Sequence, residues 1–314
     1  MSDDAPDVLG PGWTSRTLPL RPDGRTPDPV ATLVHRVGSP SRRALLYVHG
    51  FVDYFFHTGF GDALAAHGYD VYALDLRDFG RSIRDGRPPN FVTDLGAFAE
   101  EIDAAIRIVR EDHDEVVLLG HSMGGLVTSL WADSRRGEGL IDALVLNSPW
   151  LDLNGSWFER TVFTAVLDGV GRVAPNLVVG KIAPFYGRAL HEDTGGEWSY
   201  DLAWKPIDGF PARAGFARTI RRGHARVAAG LAIDVPVLLL ASDASGPDDA
   251  WHDALLTTDS VLDVADMKRL APNLGPDVTF VEVPGGAHDL ALSPLPARDT
   301  YVAEVLTFLD ARLP

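Results

Sequence analysis

Short apolar runs alternate along this chain with longer stretches whose apolar positions recur every three or four residues. The runs are ALLYVHG (44–50), DVYALDL (70–76), EVVLLG (115–120), DALVLNS (142–148), VPVLLLAS (235–242) and VTFVEVPG (278–285). Their near-continuous apolarity predicts strands covered on both faces, as in a parallel sheet. The stretch DLGAFAEEIDAAIRIVRED places Leu95, Phe98, Ala99, Ile102, Ile106 and Val109 on one face and predicts a helix, with Thr93 or Asp94 as its cap. Val302, Val305, Leu306 and Leu309 predict a closing helix in the same way. Strand and helix alternate, so the predicted fold class is α/β, a doubly wound, mostly parallel sheet. Residues 14–37, with the turn signal RPDGRT, predict a leading antiparallel hairpin.

The alternation stops after residue 150. From 151 to about 230 the pattern predicts helices and loops but no buried strand. This divides the chain into a core of residues 1–150 and 231–314 and an inserted lid of residues 151–230. The insert is rich in aromatics: Trp157, Phe158, Phe163, Phe185, Tyr186, Trp198, Tyr200, Trp204, Phe210 and Phe216. Most of these are expected to form the insert's own small core, and a minority to face a substrate pocket.

The candidate chemistry sits where one predicted strand meets a predicted helix, in VVLLGHSMGGLVTSL. Here GHSMGG matches G-x-S-x-G in the strand–turn–helix context that gives the motif its meaning. A serine on so sharp a turn stands clear of the sheet. Gly120 and Gly124, either side of His121, Ser122 and Met123, leave room for that turn, and Gly125 lets the helix pack closely. The backbone N–H of Met123 falls at the positive end of the helix, where a developing oxyanion needs a donor.

An activated serine needs a base and an acid to orient it. His288, in VPGGAHDL directly after the last predicted strand, falls at the sheet edge where open α/β sheets bind ligands. His49 and His121 flank glycine turns and read as structural. His35, His57, His67, His113, His191, His224 and His252 have no comparable setting.

LLYVHGF, ALDLRDFGRS, GHSMGG, an insert, VPVLLL and PGGAHDL occur in that order. From about Trp13 onward the chain resembles the α/β-hydrolases of the monoacylglycerol lipase, lysophospholipase and serine-aminopeptidase-like group. The resemblance implies an α/β-hydrolase fold, Ser122 as nucleophile and His288 as base. It implies Phe51 N–H as a second oxyanion donor beside Met123, and Asp75 and Asp78 as builders of a structural turn. It places the acid shortly after VPVLLL, where this sequence departs from the family pattern. Asp243 is nearest to the strand end, but DSVLDV resembles the family's acid loop and points to Asp259, with Asp263 as a helix cap. One helix, one strand and short loops fill the 29 residues from Asp259 to His288, whereas Asp243 requires an extra excursion. Asp259 is favoured, Asp243 is the alternative, and Asp152 ranks third. Asp53 and Tyr54, beside the oxyanion hole that the resemblance implies, brace that loop or contact substrate.

Charge and composition narrow the reading. A net charge of −16 disfavours nucleic acid and anionic membrane surfaces as partners. The absence of cysteine removes disulfides and thiolate chemistry, and no metal-ligand spacing appears. The acidic start MSDDAPDVLGPGW lacks a signal-peptide pattern, and no apolar run suits a membrane span. The expectation is a cytoplasmic, cofactor-free serine hydrolase without stable membrane insertion, its oligomeric state left open. It would cleave a carboxylic ester of an apolar or acyl-chain small molecule. The alternatives are an amide, peptide, thioester or lactone hydrolase with the same residues, or a ligand-binding protein on a hydrolase shell. A peptidase would need a carboxylate for the substrate's amino group, for which Glu159, Glu192 and Glu197 are candidates.

Overall fold

A computed structural model describes residues 4–38, 40–153 and 164–313. Each apolar run forms a strand whose ends agree within two residues. The central strands are β4 (Arg43–Val48), β5 (Tyr69–Asp75), β6 (Glu115–His121), β7 (Ala143–Asn147), β10 (Val237–Ser242) and β11 (Val278–Val283). All six run parallel. Strands β1 (Ala5–Pro6), β2 (Trp13–Pro19) and β3 (Val30–Arg36) form an antiparallel leader that joins the edge of β5. The full order is β1-β2-β3-β5-β4-β6-β7-β10-β11. The chain lays β5 on one side of β4 and then crosses to place β6 on the other. The segments leaving β4 and β6 therefore meet at a switch point, where a doubly wound sheet binds its ligands.

The continuous runs resolve into two faces. Along β4, Ala44, Leu46 and Val48 pack toward one layer, and Leu45 and Tyr47 toward the other. The first layer holds α2 (Phe98–Asp112), α3 (Met123–Ser134), α6 (Ala214–Ala229) and α7 (Val264–Leu270). The second holds α1 (Thr58–Ala66) and α8 (Ala297–Arg312), with Phe60, Leu64, Tyr301, Val305 and Leu309 buried. A strand with helices on both sides has no solvent face to mark with polar residues, hence the unbroken apolarity. Helix α2 is preceded by a short 3-10 turn, where the Asp94 carboxylate accepts from Gly96 N–H at 2.9 Å.

The segment between β7 and β10 carries α4 (Thr164–Val173), α5 (Phe185–Leu190) and an antiparallel pair, β8 (Val178–Gly180) and β9 (Ala212–Arg213). Trp157, Phe158, Glu159 and Phe163 lie outside the described residues. Tyr186, Trp198, Tyr200 and Trp204 pack with Tyr54 and Phe56 of the segment after β4. Helix α6 behaves differently, although it lies within residues 151–230. Its Phe216, Ile220 and Val227 join the sheet's own core beside α3.

His224 ties α6 to the end of β7. It is buried, donates from Nε2 to the Trp150 carbonyl at 3.0 Å and accepts at Nδ1 from Arg221 at 3.0 Å. Burial, helped by the Arg221 charge, lowers its pKa to about 3. The unfolded chain takes up this proton near pH 6.5, so stability is full above that value and is lost as pH falls toward 3. By pH 4 the loss from this group is on the order of 3 kcal/mol. Urea unfolding is expected to report that loss between pH 7 and 4, with a shallower dependence in His224→Gln. Equal slopes in the two proteins would exonerate His224.

Candidate active site

Strand β6 ends in a turn too tight for ordinary side chains. A Cβ on Gly120 would strike the Thr128 hydroxyl and the Gly124 carbonyl, and one on Gly124 would strike the Val48 and His49 carbonyls. At Gly125 it would meet Pro149. With no Cβ there, α3 starts directly against the end of β4. Ser122 occupies the turn at φ 51° and ψ −115°, a conformation L-residues rarely hold without support. The support is visible: Ser122 N–H donates to the Asn147 carbonyl at 3.0 Å. Its own carbonyl accepts from Gly125, Leu126 and Trp150 N–H groups at 3.0, 3.3 and 2.9 Å. Met123 opens α3, so its N–H is one of the amides without a partner inside the helix.

The structure brings Ser122, His288 and Asp259 together. His288 stands in the loop after β11, with Nε2 3.1 Å from Ser122 Oγ. Its Nδ1 lies 3.0 Å from both carboxylate oxygens of Asp259. Asp259 is fully buried, and its Oδ1 also accepts from the N–H groups of Val261 and Leu262 at 3.0 and 2.8 Å. The long excursion after β10 returns on itself: Asp259 N–H donates to the Ala244 carbonyl and Gly246 N–H to the Asp259 carbonyl, both at 2.8 Å. That bridge sets the late aspartate beside the strand end.

The other carboxylates are engaged elsewhere. Asp243 is exposed and accepts from Gly285 N–H at 2.9 Å. Asp152 pairs with Arg221 at 2.8 Å and Arg269 at 3.2 Å. Asp263 caps α7. Asp75 binds Arg81, and Asp78 binds Arg87, within the turn after β5.

Phe51 follows Gly50 in the segment leaving β4, and its ring stacks on Phe216 with centroids 4.7 Å apart. Asn90 Oδ1 accepts from Val52 N–H at 2.9 Å, and Asp53 accepts from Gly50 N–H at 3.3 Å, which fixes this loop. Ser122, His288, Phe51, Trp150, Tyr186 and Phe216 face one pocket of about 410 Å³. Glu192 and Glu197 do not line it; Glu192 accepts from the Ser199 hydroxyl, and Glu197 pairs with Arg298 at 2.8 Å.

A second buried group abuts the first. Asp289, next to His288, accepts from His57 Nε2 at 2.9 Å, Asn147 Nδ2 at 2.8 Å and Ala291 N–H at 3.0 Å. Burial works against its ionisation, but His121 and His57 outweigh that and hold the carboxyl well below its ordinary value. Asn147 Oδ1 accepts from Leu290 N–H at 3.2 Å, and the Asn147 carbonyl receives Ser122 N–H. One asparagine thus joins the serine turn to the histidine loop. The Tyr186 hydroxyl, on α5, accepts from Asp289 N–H at 3.0 Å, which links the insert to the same loop. His121 is buried with Nδ1 3.1 Å from the Asn147 carbonyl. Burial lowers its pKa to about 4, so it is neutral near pH 7. Asp53, His121 and Asp289 each present a ligand atom within 4.8 Å of the others. The cation beside Asp53 is the Lys205 ammonium, 2.5 Å from Oδ1.

Sequence reasoning gave no role to Asn147, Asp289, His57 or Lys205. Asn147 had a readable signal, a polar side chain closing an apolar strand. The others gain meaning only from their neighbours in space.

The sequence matches the serine aminopeptidase S33 family over residues 39–294. It is 32% identical over 112 residues to phospholipase YtpA of Bacillus subtilis, covering 36% of this chain and 41% of that protein. It is 31% identical over 133 residues to the 1-acylglycerol-3-phosphate O-acyltransferase ABHD5 of Rattus norvegicus, covering 38% and 33%. The matched stretches span roughly two fifths or less of the length of these curated relatives. The fold is similar to that of Paleococcus ferrophilus monoacylglycerol lipase, with a TM-score of 0.67 at 21% identity over 88% of this chain and 96% of that one. With the match covering most of its length, and with this sheet and its flanking helices, the chain belongs to the serine aminopeptidase S33 family and has the α/β-hydrolase fold.

Proposed function

We propose that this chain is a serine hydrolase that cleaves the carboxylic ester of an apolar acyl group through an acyl-enzyme. The observation that carries the reading is the unbroken line from Ser122 Oγ through His288 to buried Asp259, opening into a mostly apolar pocket. Asp259 accepts from His288 Nδ1–H and leaves Nε2 as the acceptor facing Ser122. As Oγ attacks the acyl carbonyl, its proton passes to Nε2. The N–H groups of Phe51 and Met123 donate to the oxyanion. His288 then returns the proton to the departing alcohol, and a water activated by the same nitrogen releases the acid. Asp259 holds the imidazole and stabilises its charged form throughout. The insert of residues 151–230, apart from core-bound α6, serves as the cap over this pocket.

The names of similar proteins, a phospholipase and a monoacylglycerol lipase, support an acyl ester as substrate. Among the described residues, no helix is long and apolar enough to cross a membrane. A fluorophosphonate is expected to modify the protein at one site, with the adduct found on Ser122 by peptide mass spectrometry. Esters of rising acyl length should be turned over faster than an aminoacyl amide. A protein that takes up the probe elsewhere, or not at all, is not this enzyme but a binding protein on the same shell.

A further inference from the structure

The pocket's polar end holds an ion pair that the reaction above does not use. Asp53 is 2% exposed and faces the same cavity as Ser122, and Lys205 reaches it from the insert with only 14% of its side chain exposed. The Lys205 ammonium lies 5.4 Å from the Phe56 ring centre and 5.6 Å from that of Tyr200, so its charged head lies over two aromatic faces. Burial would raise the Asp53 carboxyl, but the Lys205 charge, with His121 and His57, keeps it below its ordinary value. The two groups thus form a close pair with little exposure to solvent.

A substrate carrying an ammonium group needs a carboxylate to receive it. Among the described residues, every carboxylate lining this pocket has a partner: Asp53 has Lys205, Asp289 has His57 and Asn147, and Asp248 at the rim is engaged as well. We infer that Lys205 is a specificity-determining residue, a built-in cation that occupies Asp53 and closes the pocket to ammonium-bearing substrates. A cationic substrate would have to displace Lys205 from Asp53 or stop beside a fixed positive charge in a poorly hydrated site. A neutral substrate meets neither cost.

The test removes the charge and keeps the shape. Lys205→Met preserves the apolar stem, and Lys205→Gln offers Asp53 a neutral donor should the methionine variant fold poorly. Two matched ester pairs report selectivity: 4-nitrophenyl esters of leucine and 4-methylpentanoic acid, and octanoate esters of choline and 3,3-dimethylbutanol. The charged-to-neutral ratio of kcat/KM is expected to rise at least tenfold in one pair on removing Lys205, and to fall back in Asp53→Asn/Lys205→Met. A folded variant that still turns over neutral esters with both ratios unchanged overturns the inference.

The turnover arm rests on the hydrolase reading; a second arm does not. Octylammonium should bind the Lys205 variant at least tenfold more tightly than the wild type by calorimetry, while octanol binds both alike. If the wild type hydrolyses nothing, the hydrolase reading fails and this binding comparison still decides the role of Lys205. Equal octylammonium affinity in the two proteins rejects it.

Discussion

Replacing Ser122 with alanine is expected to lower kcat for a medium-chain ester by about 10⁶-fold, with the fold intact. The size follows from the loss of the bond-forming atom itself. The residual rate, roughly 10³–10⁴ above that in water, would come from oxyanion donors and binding alone. The fold should survive because alanine keeps the Cβ that already tolerates φ 51°, and the turn is held by backbone bonds from Ser122 to Asn147, Gly125, Leu126 and Trp150. The one side-chain bond of the serine that is lost points at His288. KM should change little, since pocket walls such as Tyr186 and Phe216 are untouched. Steady-state kinetics with thermal unfolding as a control checks this. A folded Ser122→Ala protein retaining a hundredth of the wild-type rate would show that another group attacks the ester.

The sheet was legible in the sequence because a strand buried on both faces must be apolar throughout, and six such runs occurred with room between them for the connecting helices. Ser122 was legible for a related reason. Close approach of α3 to the end of β6 permits only glycine at 120, and its approach to the end of β4 only glycine at 124, and those glycines mark the turn in the letters themselves. His288 could be placed by its position after the last strand. The acid was harder, because the excursion after β10 carries six aspartates, and the Asp259–Ser245 bridge shows which one is brought back to the sheet and to His288. Asp289, His57 and Lys205 were not legible. His57 and Asp289 meet across 232 positions and Lys205 and Asp53 across 152, and neither a lone lysine among aromatics nor a histidine in a loop carries a local pattern. Helix α6 shows the same limit from the packing side. Its apolar face fits a cap and a core helix equally well by periodicity, and the structure packs it on both α4 and α3, with Phe216, Ile220 and Val227 in the sheet's core.

Asp259→Asn is expected to lower kcat by about 10⁴-fold with KM little changed, whereas Asp243→Asn should stay within a few-fold of the wild type. The contrast follows from what each oxygen receives. In Asp259, Oδ1 accepts from the backbone at Val261 and Leu262 and both oxygens accept from His288 Nδ1–H. An asparagine keeps its carbonyl oxygen on the two backbone donors and so turns its NH₂ group toward His288. Nδ1 must then accept, the ring proton moves to Nε2, and Nε2 can no longer take the proton of Ser122. The geometry is retained while the tautomer is wrong, which is why the loss should fall on kcat. Asp243 receives a single amide, Gly285 N–H, at an exposed site, and an asparagine carbonyl can accept that bond unchanged. Fluorophosphonate labelling rates, read alongside turnover, separate this from unfolding: Asp259→Asn should label slowly at Ser122 yet melt as a cooperative, folded protein. If instead Asp243→Asn loses turnover and Asp259→Asn keeps it, His288 is oriented from the other side of the strand end and the acid assigned here is the wrong one.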